Sequence, residues 1–147
     1  MRHLFFALAC LAGLLASPTA RAQSVLSDPC SSAPATLVPI SITTAAATQQ
    51  VTGATNKKIY VCEIVMIAGA ADNVAVTEGT GTNCGTGTAA LAGSTTSANG
   101  LNFGSNGGLI AQRTGFSHFW TQTAGDNICL TASSAGPLSG WLLEVTQ

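Results

Sequence analysis

The chain has 147 residues, 7% of them charged, and a formal net charge of −1. That length accommodates one ordinary domain. Five Lys and Arg in the whole sequence build no basic patch, which excludes nucleic-acid binding by phosphate neutralisation and adsorption to anionic membranes.

Met1-Arg2-His3 is a short basic start, and the apolar run Leu4–Ala16 follows it. Ser17-Pro18-Thr19 breaks the run before Ala20-Arg21-Ala22, a small-x-small cleavage signature. Residues 1–22 therefore read as a secretory signal peptide cut after Ala22. The run is too short to cross a bilayer, so no membrane span is expected after cleavage. Cys10 is one more residue of that run, not a lipid-attachment site. The predicted destination is the bacterial periplasm or the extracellular medium. The exported part keeps Lys57, Lys58 and Arg113 against six acids, a formal charge of −3.

Residues 23–36, with Pro29 and Pro34, predict an extended N-terminal arm, because each proline removes a donor and restricts its predecessor. A single domain is expected over residues 37–147. Leu37–Val51 alternates weakly and predicts two strands with a kink through Ala45–Ala47. The stretch Lys57–Ala71, KKIYVCEIVMIAGAA, predicts the central strand. Ile59, Val61, Val65 and Ile67 should share one face, and Tyr60, Cys62, Ile64 and Met66 the other. A strand apolar on both faces is covered on both, so this one should sit mid-sheet or between a core and a partner subunit. Gly69–Asn73 predicts a tight reversal into Asn73–Glu78 as a hairpin partner of that strand.

Gly79–Thr88 is a glycine-rich loop with no Lys-Ser/Thr at its end and no helix behind it, so it is not a phosphate-binding loop. Short strands follow at Ala89–Leu91 and Gly100–Phe103, and Leu109-Ile110 should dip into the core. Phe116–Gln122 predicts an aromatic strand and Asn127–Ser133 another, with Ile128, Leu130 and Ala132 inward. Leu138–Thr146 closes the domain, with Trp141, Leu143 and Val145 expected on its buried face. About eight short strands with turn residues between them, and no helical pattern, predict an all-β fold. Its form should be a single jelly-roll-like antiparallel β-sandwich.

Cys30, Cys62, Cys84 and Cys129 survive processing, and an even count in an exported chain predicts two disulfides. No two of them lie two to four residues apart, so zinc ligation is not expected. The pairing stays open, with a lean towards Cys62–Cys84 and Cys30–Cys129 because the predicted hairpin brings Cys84 near the start of the central strand.

Asp28-Pro29-Cys30, KKIYVCEIVMIAGA, EGTGTNCGTGTAAL, TAGDNICLTAS and LSGWLLEV, in that order, resemble small virion-associated proteins of phages and prophages. These are of the head-fibre and decoration type, and the likeness covers nearly the whole exported chain. It implies a compact jelly roll, often trimeric, with a structural or surface-binding role and no enzymatic activity. The signal peptide departs from a virion protein and points to an exported bacterial relative.

The residues themselves offer no catalytic constellation. His118 is the one histidine after the leader, and Glu63 and Glu78 could face one another only across the predicted hairpin. Asp72-Asn73 and Asp126-Asn127 read as turn formers, and no metal or cofactor is expected. Trp120 and His118 are the candidate surface contacts. The expected function is an exported, non-enzymatic structural or surface-binding protein acting as a homotrimer. Its partners would be further copies, a cell-surface glycan, or a virion or envelope component. The alternative is a secreted carbohydrate-binding module.

Overall fold

The computed structural model describes residues 27–147. The predicted signal peptide and the first residues of the arm lie outside the described residues. A single helical turn, α1 (Pro29–Ser32), comes first. Five strands follow: β1 (Thr36–Ile42), β2 (Ala47–Val51), β3 (Ile59–Ala68), β4 (Asp72–Thr80) and β5 (Thr86–Ala92). Five more complete the chain: β6 (Leu101–Phe103), β7 (Gly108–Ala111), β8 (Phe119–Trp120), β9 (Asn127–Ala132) and β10 (Leu138–Thr146).

The first sheet runs β1-β10-β3-β7, with β8 also on β3, and the second runs β2-β9-β4-β5, with β6 also on β4. Every pairing is antiparallel. Strands β1 to β4 alternate between the two sheets, as do β9 and β10. That alternation is the jelly roll. Eight strands form the two main rows, and β6 and β8 are short additions. The two inner faces meet in one core, in which Ile64, Met66, Leu138 and Leu142 oppose Val74, Val76, Ile128 and Leu130.

The topology corrects the predicted hairpin. β3 and β4 are consecutive but lie in different sheets, so Gly69–Ala71 carries the chain across the sandwich. Both strands are apolar because each is central to its own sheet, which sequence periodicity cannot distinguish from mutual pairing. The disulfide lean fails for the same reason. The bonds are Cys30–Cys62, joining α1 to β3, and Cys84–Cys129, joining the turn after β4 to β9. They close 32 and 45 residues of separation, worth about 4 kcal/mol each by loop-closure entropy.

The faces of β3 also differ from simple alternation. Along β10 the register with β3 shifts between Leu143 and Glu144, which oppose Glu63 and Val61. Cys62 is the extra residue of a β-bulge, so Cys62 and Glu63 both point outward. Ile59 and Val61 before the bulge then share the core with Ile64, Met66 and Ala68 after it. Val65 and Ile67 lie on the outer face.

The arm is not simply extended. Asp28 caps α1, its Oδ1 accepting the Cys30 N–H at 2.9 Å, and Pro29 opens the turn. Asp followed by Pro is a helix-start signature, here limited to one turn by Pro34. The predicted strand Phe116–Gln122 shrinks to Phe119–Trp120 because its flanks are held elsewhere. The Ser117 N–H donates to Asp28 Oδ2 at 3.0 Å, and the N–H of Gln122 goes to Glu78 Oε2.

Candidate functional site

The outer face of the first sheet is where apolar residues and solvent meet. Cys62 points outward there and its disulfide brings Cys30 and the arm down on top of it. Cys30, Cys62 and Val145 form a second apolar cluster, with Ala33, Ala35, Tyr60 and Leu143 against it. Arg113 reinforces this cover, donating from Nη2 to the Cys30 carbonyl at 2.7 Å and from Nε to the same oxygen at 3.2 Å. Asp28 does so as well, accepting the Ser117 hydroxyl at 2.7 Å. Burial pushes the Asp28 carboxyl up, but the Ser117 and Cys30 donors outweigh it and hold it below its usual value of 3.8.

Beyond the arm the same face is uncovered at Leu37, Ile67, Ile110 and Trp141, while Val65 among them is only 9% exposed. Pro39 of β1 aligns with Trp141 of β10, Trp141 with Val65 of β3, and Val65 with Ile110 of β7. This makes one row across four strands. Ile110 is 62% exposed and Trp141 40%, and Leu37 and Ile67 border the row. The expected inward placement of Trp141 and Leu143 is therefore corrected. Trp141, Leu143 and Val145 do share a face, but it is the outer one, and Val145 is buried by the arm instead of the opposite sheet. Ile110 likewise faces out, whereas its neighbour Leu109 packs on the core.

Trp141 is held in place. Its Nε1–H donates to Glu63 Oε1 at 2.9 Å, a carboxylate turned to this face by the bulge. Gly140 precedes it at φ +152, and a Cβ there would fall 1.9 Å from the Val65 carbonyl oxygen. Only glycine permits β10 to lie this close to β3 beside the exposed indole.

The two predicted contact residues sit near the covered end. Trp120 is 40% exposed and stacks on Tyr60 with ring centroids 6.4 Å apart. The His118 ring is exposed and pairs through Nε2 with the Gln112 carbonyl at 2.9 Å. Neither belongs to the bare row. Sequence reasoning missed Trp141, Ile110 and Leu37 as surface residues, because hydrophobicity alone marks a covered face without saying what covers it.

Glu63 and Glu78 do not face one another. Glu63 points out from the first sheet, whereas Glu78 is buried in the second, where its Oε2 accepts the N–H groups of Gln122 and Thr123. It ties down the loop that closes one end of the sandwich. Among the described residues no three His, Cys, Asp or Glu side chains gather in a metal-holding group. Nor is any described helix long and apolar enough to cross a membrane. The two disulfides are compatible with an oxidising compartment.

Comparison with known families, curated proteins and solved structures finds no match for this chain.

Proposed function

We propose that this is an exported, non-enzymatic assembly and surface-attachment protein, an exported relative of virion-associated jelly rolls, that docks through the bare half of its first sheet. The occupant is a further copy of the same chain. The row Pro39–Trp141–Val65–Ile110 carries this reading, since an apolar row across four strands is the kind of patch that marks an interaction site.

Three features favour self-association. Pro39, Trp141, Val65 and Ile110 carry no charge, and Glu63 beside them has a donor in the Trp141 Nε1–H, so little charge need be desolvated for two copies to meet on the row. Pro39 lies on edge strand β1, where a missing donor discourages strand addition and directs association to the face. With the leader removed, only Gln23–Leu26 would precede the described arm, a reach of no more than about 14 Å. The trimer implied by the family likeness is the expected state. Light scattering of purified Gln23–Gln147 tests it, and a monomer at micromolar concentration overturns it.

A second reading, a carbohydrate-binding module, is favoured by Trp141 and Trp120, both half-exposed on the outer face. Aromatic planes of this kind stack on sugar rings. A glycan array decides between the two. Binding lost in Trp141→Ala or Trp120→Ala supports the saccharide, and an array without hits removes it.

A further inference from the structure

Asp72 opens β4 immediately after the chain crosses between sheets, and it is only 5% exposed. Its two carboxylate oxygens are treated very differently. Oδ1 accepts three hydrogen bonds, from the Ser133 N–H at 2.8 Å, the Ser133 hydroxyl at 2.8 Å and the Ser134 N–H at 2.9 Å. Oδ2 is buried and accepts none from the described residues. Buried polar atoms are nearly always satisfied, and a carboxylate oxygen held from water without a donor is costly, so this one calls for a positive partner.

Asp72 also lines an open surface depression of about 220 Å³ together with Ala71, Asn73, Asn102 and Ser133. Asn73 of β4 and Asn102 of β6 are cross-strand partners, and Asn102 Nδ2 donates to Asn73 Oδ1. That bond identifies the other amide atom of Asn102 as its oxygen, which accepts nothing from the described residues. One carboxylate, two side-chain amides and a hydroxyl, the last also accepting the Asn73 N–H at 3.0 Å, thus line the same depression from β4, β6 and the turn after β9. No Lys or Arg lines it.

We propose that this depression is a calcium-binding site. Asp72 supplies the charged ligand, Asn73, Asn102 and Ser133 the neutral oxygens, and water completes a shell of about six to eight. Calcium is favoured over magnesium because oxygens drawn from three separate elements suit a large, geometrically tolerant cation. Magnesium demands a near-octahedral set. A single carboxylate makes the site weak, in the range of roughly 10⁻⁴ to 10⁻³ M that serves extracellular modules. The cation would bind β4, β6 and the β9–β10 turn together at this end of the sandwich.

The test is calorimetric titration and thermal melting of the exported protein with CaCl₂, against MgCl₂ at matched ionic strength. Calcium should raise the melting temperature by a few degrees and saturate in the millimolar range, with magnesium much weaker. Asn102→Ala leaves all three bonds to Asp72 Oδ1 in place and should weaken calcium binding about tenfold. Asp72→Asn keeps the Oδ1 acceptor and should abolish the response. No calcium-specific effect on the native chain overturns the proposal, and so does an undiminished calcium affinity in Asn102→Ala or a response retained in Asp72→Asn. If Asp72→Asn fails to fold, Asn102→Ala decides alone.

Discussion

The outer face of the first sheet is divided into two halves that are alike in composition and opposite in fate. Around Cys62 the apolar side chains are roofed by the arm, and Val145 is 4% exposed. Further along β10, and on β7 of the same sheet, Trp141 and Ile110 stand in solvent at 40% and 62%. The roofed half has a cover fixed by a disulfide, by Arg113 on the Cys30 carbonyl and by Asp28 on Ser117. On the bare half no described residue plays that part. An apolar outer face is thus not one structural fact: half of it belongs to the fold of the single chain, and half stands uncovered by any described residue.

The arm's contribution to stability is the largest effect to test. Cys30→Ala with Cys62→Ala should destabilise the protein by about 4 kcal/mol and release the arm. Thermal melting supplies the number, and dye binding to the newly exposed Val145 and Tyr60 supplies the mechanism. Cys84→Ala with Cys129→Ala should cost a similar amount but leave the arm seated, since that bond lies on the second sheet. A cost below about 1 kcal/mol for the arm pair would mean the roof is not held from Cys30.

Neighbouring residues of β10 sharpen the same contrast. Leu142 is fully buried between the sheets and Trp141 is not. Leu142→Ala should cost about 3 kcal/mol through the lost apolar transfer and the cavity left behind. Trp141→Ala, on the outer side, should cost about 1 kcal/mol or less in the isolated chain. Denaturant titrations of the two variants give the ratio, and equal losses would place Trp141 in a core it does not visibly share.

Much of this was legible in the sequence, and the failures share a cause. Val, Ile and Tyr in Lys57–Ala71 announced the central strand, and Gly, Asn and Ser between strands announced the turns, so the sandwich followed. The grouping of Trp141, Leu143 and Val145 on one face was also sound. Which side that face looked to was not legible, because Val145 is apolar for the arm's sake and Leu142 for the core's. The bulge at Cys62 reversed parity in mid-strand without any residue that marks it. The crossing from β3 to β4 looked like a hairpin because a sheet-to-sheet corner uses the same glycine and asparagine. Asp72, read as a turn former, does fasten a turn through Ser133, but its second oxygen could be seen as unmatched only in three dimensions.

Ile110 offers a cleaner probe of the bare half than Trp141. It lies on a sheet edge and is mostly exposed, so Ile110→Asp should change the stability of the single chain by no more than about 0.5 kcal/mol. If further copies dock on the row, the same substitution places a desolvated carboxylate in their interface and should give monomers by light scattering. An unchanged oligomer would move the contact elsewhere.

The smallest effect concerns the roof and pH. Asp28 accepts from the Ser117 N–H and hydroxyl and from the Cys30 N–H, so the folded state favours its ionised form and its pKa is lowered. A carboxyl with a depressed folded pKa contributes stability above its unfolded value and loses it as pH falls through the folded value. The arm should therefore loosen only in acid, below about pH 4. Asp28 is partly open to solvent, which keeps the effect small. The Ser117 amide resonance, followed by NMR from neutral pH downwards, should shift with a midpoint below that of a free aspartate, and Asp28→Asn should remove the shift. Resonances of the bare row, such as Ile110, should not follow it, since Asp28 acts on the roofed half alone. A matching shift there would mean that the two halves of the face move as one.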